Sequence, residues 1–173
     1  RYTVPFVGTV PAIKPACAAS VTRRVSVLGT QATVKREYTR KLIADFANGA
    51  DVTLVGSARL AALAEAHLRG EAVADADVEA ELAPCFVDEA GRRTDTVVLA
   101  CTHFPLLLAS LERLSPWPVS FIDPAPAIAR RVIGLIGEPE PAAATAAARI
   151  VFTSHRDPPP ALRVALAHLG IEP

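Results

Sequence analysis

The sequence predicts an α/β fold, a mostly parallel open sheet with helices on both faces. Short β-type apolar runs alternate along the chain with segments of helical period. The run "TVVLA" at 96–100 is continuously apolar, as a strand covered on both faces should be. The strand-then-helix order also recurs, which favours parallel pairing through crossover helices.

The elements follow in order. "VPFVGTV" at 4–10 is apolar and β-rich but interrupted by Pro5 and Gly8. With "PAIKPACAAS" after it, rich in proline and small residues, it reads as the end of a strand and a connector. "RRVSVLGT" at 23–30 reads as a strand in which Val25, Val27 and Leu28 lead into Gly29 and Thr30. In "QATVKREYTRKLIADFANG", Val34, Tyr38, Leu42 and Phe46 recur about every four residues and Asn48-Gly49 is a stop, which predicts one helix. "DVTLVGS" at 51–57 is a strand, and "ARLAALAEAHLRGE" a helix with Leu60, Leu63, Ala64 and Leu68 on one face, ending at Gly70.

"DADVEAELAPCFV" at 75–87 is a further helical stretch, with Val78 and Leu82 on one side and Pro84 near its end. "GRRTD" turns into the strand 96–100, and "FPLLLASLERL" forms a helix after Cys101-Thr102-His103. "SPWPVSFIDPAPAIARRVIGLI" supplies a linker, a strand at Val119–Ile122, a turn at Asp123-Pro124 and a helix from about Pro126. "EPEPAAATAAA" is a flexible or surface stretch, "RIVFTS" a strand, and "PPPALRVALAHLG" a terminal helix with prolines before its first turn.

Composition excludes several classes. Eighteen basic residues balance eighteen acidic ones, so no net field favours nucleic acid or an anionic membrane. No apolar run approaches the roughly 18–20 residues of a spanning helix. Cys17, Cys85 and Cys101 form no Cys-x-x-Cys pair, and their odd number suits a reducing compartment better than a disulfide framework. The chain opens Arg1-Tyr2-Thr3, contains no methionine and has no signal-peptide pattern, so a portion of a longer protein is expected.

Chemistry concentrates at "VVLACTHFPLL", 97–107. In an open α/β sheet ligands sit beyond the carboxyl ends of strands, where Cys101 falls. A helix opening at Phe104 or Pro105 would aim amide groups and its positive end at residues 101–103, favouring a thiolate and offering a carboxylate the Thr102 hydroxyl. A thiol with a histidine two residues on serves as nucleophile, metal ligand or proton-transferring acid/base, and spacing does not choose among these. Further ligands at metal-like spacing are not evident, so no metal is expected. Cys17 and Cys85 read as small buried hydrophobes; His67, His155 and His168 read as surface residues.

The whole string resembles the second cysteine motif of glutamate racemases, in which Cys-Thr-His-aromatic-Pro-Leu-Leu ends a strand. "PFVGTVPAIKPA", "GTQATVKREYTRKLI", "LAEAHLRGE", "ELAPCF", "GRRTDTVVLACTHFPLL", "PWPVSFIDPAPAIARRV" and "FTSHRDP" extend the resemblance in the family's order. Related aspartate racemases carry an acidic residue where His103 stands, which points to glutamate.

The resemblance implies cofactor-free interconversion of L- and D-glutamate, with two cysteines on opposite faces of the α-carbon, supplying D-glutamate for peptidoglycan. Carried onto this chain, Cys101 matches the second acid/base, assisted by His103 and Glu65. Thr102, His103 and Thr33 match substrate-contacting positions. From the residues alone, Glu65 reads equally as an exposed helix carboxylate and Thr33 as a helix N-cap. A cytoplasmic enzyme, compatible with a homodimer, is implied too.

The family pattern also includes an Asp-Ser motif, a Tyr-Gly element and a Cys-Asn-Thr motif carrying the first catalytic cysteine. None occurs in these 173 residues. On the family's template, residues 10–117 are the complete second α/β domain, and 1–9 with 118–173 belong to the first. The expectation is a portion inactive by itself, or else a non-catalytic racemase domain that only binds a carboxylate or associates with partners.

Overall fold

The computed structural model describes residues 3–138, 148–153 and 157–172. The chain runs α1 (Ile13–Ala19), β1 (Arg24–Thr30), α2 (Gln31–Lys35), α3 (Glu37–Phe46), β2 (Asp51–Ser57), α4 (Leu60–Leu68) and α5 (Asp75–Leu82). There follow β3 (Asp88–Glu89), β4 (Arg92–Arg93), β5 (Thr96–Ala100), α6 (Leu108–Arg113), β6 (Ser120–Ile122), α7 (Ala125–Ile136), β7 (Ala148–Arg149), α8 (Pro160–His168) and β8 (Ile171–Glu172).

Four strands pair in the order β2-β1-β5-β6, all parallel. Side chains alternate across the sheet, and each set meets its own helices. Leu28, Val97 and Leu99 pack with Leu60, Ala64, Val78, Leu82 and Leu111 from α4, α5 and α6. Val25, Val27 and Val98 pack with Ile13, Ala16 and Cys17 of α1 and with Leu42 and Phe46 of α3. Helices therefore cover both faces, and the continuous apolar run of β5 is explained by burial on both sides.

Several expectations change. Residues 4–10 form no strand: Phe6 is 77% exposed, and Pro5 cannot donate to a ladder. The connector after them is largely α1, because Pro15 falls in the first turn, where no amide donor is required, and Ile13, Ala16 and Cys17 share the buried side. The single helix expected over 31–49 is two. Arg36 is extended between them, at φ −66° and ψ 134°, and the buried positions of α3 begin at Thr39 while Tyr38 is 53% exposed.

The helix expected from Phe104 begins as a 3₁₀ turn, Phe104–Leu107, and becomes α-helical only at Leu108. The turn at "GRRTD" is part of a small hairpin, β3 with β4, whose Ala90 and Gly91 both have positive φ. The strand expected over 149–154 is shorter, with only Ala148–Arg149 pairing, beside β8. The alanine- and proline-rich run at 139–147 and His155 lie outside the described residues.

The amino ends of the strands are tied by Asp95. Its carboxylate accepts from Ser20 Oγ (2.6 Å), Val21 N (2.7 Å), Thr22 N (2.8 Å) and Thr96 Oγ1 (3.0 Å). Partial burial pushes the carboxyl up, but these donors together outweigh it and hold it below its ordinary value. Nearby, Trp117 donates to Thr94 O at 2.7 Å and packs edge-on against Phe86 with ring centres 5.2 Å apart.

Replacing Asp95 by Asn should destabilise the fold by about 2 kcal/mol at neutral pH, read from urea midpoints. Because the folded carboxyl sits below its ordinary value, its contribution is present above the unfolded pKa and is lost as pH falls through the lower, folded one. The gap between Asp95→Asn and wild type should therefore narrow on acidification. Cys85 is fully buried, and burial pushes its thiol up to about 12. Iodoacetamide at pH 8 should leave Cys85 untouched in the folded chain and modify it only in denaturant, as peptide mass mapping will show.

Candidate active site

The sheet order reverses between β1 and β5: the chain leaves β1 toward β2 on one side and returns to β5 on the other. Such a switch point opens a crevice at the strands' carboxyl ends. Gly29 of β1 pairs with Ala100 of β5, so the chain segments leaving both strands emerge level. After β1 come Thr30 and α2; after β5 come Cys101, Thr102 and His103.

A pocket of about 90 Å³ lies in this crevice, and Thr9, Thr33, Arg36, Tyr38, Cys101 and Thr102 are among its lining residues. A larger hollow of about 300 Å³ lies between residues 7–15, α3 and α7. Its wall is mostly apolar, with Val7, Leu42, Phe46 and Ile128, and it contains none of the expected site residues. The smaller pocket has the thiol and the hydroxyls, and it is where chemistry is placed.

Cys101, Thr102 and Thr33 thus meet in one pocket, whereas His103 and Glu65 are not among its lining residues. Cys101 Sγ lies 3.7 Å from His103 Nδ1, and His103 Nε2 lies 2.8 Å from Glu65 Oε1. Glu65 is therefore more than an isolated helix carboxylate. Its second oxygen is 3.6 Å from the Arg69 guanidinium, one helical turn on. With Nε2–H donating to Glu65, Nδ1 presents its lone pair to the Cys101 thiol, so the line can move a proton from sulfur to imidazole.

The helix end expected to face Cys101 is displaced. The Phe104 amide bonds back to Cys101 O at 3.2 Å, closing the 3₁₀ turn, and Pro105 has no amide hydrogen. What stands against Cys101 is thus an imidazole rather than a row of free amides.

Thr33 is not the N-cap. Thr30 is, accepting from Thr33 N at 3.2 Å, and the two hydroxyls lie 2.9 Å apart. Thr39, fully buried, donates to Thr33 O at 2.8 Å and pins the end of the five-residue α2. Thr30, Arg36 and Thr39 escaped the sequence reading because the break between α2 and α3 hid which side faces the strand ends. Glu81 was missed as well. Its carboxylate accepts from Ser57 Oγ at 2.6 Å and from the Ala58 and Arg59 amides at 3.0 and 3.3 Å, which fixes the start of the helix bearing Glu65.

His67 and His168 are exposed on α4 and α8, on either side of a hollow of about 190 Å³. Cys17 and Cys85 are buried far along opposite faces of the sheet, and burial raises both thiols. Among the described residues, no three His, Cys, Asp or Glu side chains converge as metal ligands, and no helix is long and apolar enough to cross a membrane.

Comparison with known proteins agrees with this geometry. The sequence profile of the family described as Asp/Glu/Hydantoin racemase matches residues 1–132. Glutamate racemases of Brucella canis and Brucella anthropi are 59% and 56% identical to the chain over 134 residues, covering 78% of it and 48% of each of them. The crystal structure of Escherichia coli glutamate racemase, in complex with L-glutamate and the activator UDP-MurNAc-Ala, is 40% identical with a TM-score of 0.83. That match covers 99% of this chain and 64% of the other. The chain spans about half the length of the curated relatives it matches. With a cysteine-bearing strand end at the switch point of a parallel sheet, and a profile match over three-quarters of its length, the chain belongs to the Asp/Glu/hydantoin racemase family.

Proposed function

We propose that these residues form the carboxyl-terminal portion of a glutamate racemase, a cofactor-free enzyme that inverts the α-carbon of glutamate by proton transfer between two thiols. The observation that carries this reading is the line from Cys101 through His103 to Glu65 at a hydroxyl-lined pocket. In one direction the Cys101 thiol passes its proton to His103 Nδ1, and the resulting thiolate takes the α-hydrogen from its face of the substrate. In the other, Cys101 Sγ–H gives its proton to the carbanion while a thiolate on the opposite face has removed the original one. A single base returning its own proton would restore the starting enantiomer, so inversion needs both thiols.

The hydroxyls of Thr33 and Thr102 bind the substrate's polar groups and stabilise charge that develops at the carboxylate in the transition state; both residues line the pocket, which supports this reading. Residues 10–117 make the second domain of this enzyme, and 1–9 with 118–173 belong to the first. Support comes from α7, which has no buried residue and leaves Ile136 72% exposed, as a helix of a different domain would. The product, D-glutamate, feeds peptidoglycan synthesis in the cytoplasm, and the exposed apolar side of α7 is compatible with a homodimer.

A second reading has its own observation. Neither Cys17 nor Cys85 can serve as the opposite thiol, since both are buried in the core. The 173 residues alone therefore bind a carboxylate without inverting it.

Nuclear magnetic resonance of L- and D-glutamate in deuterated water tests both readings. The chain alone should invert neither enantiomer. Joined to the amino-terminal half of a Brucella relative it should exchange and invert both, and Cys101→Ser in the joined protein should lower inversion by at least about 10²-fold. Normal inversion with Cys101→Ser would remove Cys101 from the mechanism. Glu65→Ala in the joined protein should reduce kcat by about tenfold, while Glu65→Gln, which keeps an acceptor for His103 Nε2–H, should lose less. A polarimetric rate series separates these outcomes.

A further inference from the structure

We propose that Arg36 makes the Cys101 pocket selective for carboxylates, acting as the residue that draws an anionic group in beside the thiol. The inference deepens the racemase reading by naming the side chain that selects the substrate's charge, and it rests on that reading only for which carboxylate is used.

Three observations lead to it. Among the described residues, Arg36 is the only charged side chain lining the pocket, which it shares with Cys101, Thr102 and the hydroxyls of Thr9, Thr33, Tyr38 and Thr39. Its guanidinium makes no hydrogen bond or ion pair with any described residue, whereas Arg59, Arg92, Arg93 and Arg113 each pair with an aspartate. An arginine that is planar, always charged and unpaired is suited to a carboxylate. Its backbone is also fixed at the pocket: the Arg36 amide and the Thr39 hydroxyl both donate to Thr33 O, at 3.3 and 2.8 Å. The extended conformation of Arg36 is thus part of the wall that holds Thr33.

The surrounding charges give a direction to entry. The carboxylate of Glu65 is held by His103 and Arg69 and does not line the pocket. Lys35 and Glu37, the neighbours of Arg36 in sequence, are exposed and do not line the pocket. An anion in the crevice therefore meets one cation, on the α2–α3 side, with the thiol beside it.

Paired alkylating reagents test this without requiring inversion. Iodoacetate and iodoacetamide both react by attack of the Cys101 thiolate on the methylene carbon, forming a carbon–sulfur bond and releasing iodide. They differ in carrying a carboxylate or an amide. The rate of each at Cys101 is read by peptide mass mapping on the 173-residue chain, with glutathione as the reference thiol. The expected result is an iodoacetate-to-iodoacetamide ratio above that of glutathione, reduced about fivefold by Arg36→Gln and largely kept by Arg36→Lys, the effect of one unit charge a few ångströms away in a water-like medium. Raising the salt should shrink the wild-type ratio and leave that of Arg36→Gln unchanged. A wild-type ratio no higher than that of glutathione, or one unmoved by Arg36→Gln, overturns the proposal. Failure of the racemase reading would instead be seen as absent inversion in the joined protein, with this ratio intact.

Discussion

The site depends on how closely α2 can lie against the ends of β1 and β2. A Cβ added at Gly56 would come within 2.8 Å of Val34 Cγ2 and 3.3 Å of Gln31 Cα, and one at Gly29 would sit 3.3 Å from both Ala100 Cβ and Thr33 Cβ. These small residues stand at the same level of three adjacent strands, since Gly29 pairs with Gly56 on one side and Ala100 on the other. Only because that level is bare can a five-residue helix, too short to persist alone, settle across the strand ends. Thr33, held by Thr30, then lines the crevice together with Cys101. A side chain at Gly56 would lift Val34 and with it the wall that carries Thr33 and Arg36.

The opposite edge of the site is held by a different device, a chain of polar contacts that begins at the end of β2. Ser57 Oγ accepts from the Leu60 amide at 2.9 Å while donating to Glu81, and Glu81 in turn receives the Ala58 and Arg59 amides. The first turn of α4 thereby gains the acceptors its amides lack, from a carboxylate on α5. Leu60 and Ala64 seal the inner face of α4 against the sheet, both fully buried. Glu65 follows Ala64 and so leaves the core directly toward His103. The 2.8 Å contact between them is set by strand end, cap and core together.

The parallel sheet was legible because its strands carry their burial in their composition: Val25, Val27 and Leu28, or Val97, Val98 and Leu99, have no other environment that suits them. Cys101 at a strand end was legible for the same reason. What the sequence concealed were places where a polar bond outweighs periodicity. Val34, Tyr38, Leu42 and Phe46 keep a helical spacing, yet the Thr39 hydroxyl and the Arg36 amide converge on Thr33 O and break the helix between them, turning Tyr38 outward. Pro105 looked like the first residue of an α-helix but stands in a 3₁₀ turn that moves the helix end away from Cys101. α1 was hidden by Pro15, although the spacing of Ile13, Ala16 and Cys17 marks a helical face once the first turn is discounted. The pairing of His103 with Glu65, 38 residues apart, follows from α4 packing beside the turn after β5, which no local pattern encodes.

A pocket with one thiol on one wall has a direction built into it. Cys101, Thr102 and Thr33 line one pocket at the carboxyl ends of β1 and β5, and in the proposed two-thiol reaction the second proton-transferring group comes from the open side. Cys17 cannot provide it from beneath the sheet's α1 face, nor Cys85 from beneath the α5 face, and burial keeps both thiols protonated. Val4 and Phe6 before α1 and Ile133 and Ile136 on α7 are among the described residues that leave apolar surface uncovered. In the proposed enzyme, one further α/β unit would cover these residues and face Cys101 from the open side. The same structural fact, a sheet covered on both faces but open at its carboxyl end, thus accounts for a core enclosed by the chain's own helices and for a thiol pocket reached from one side.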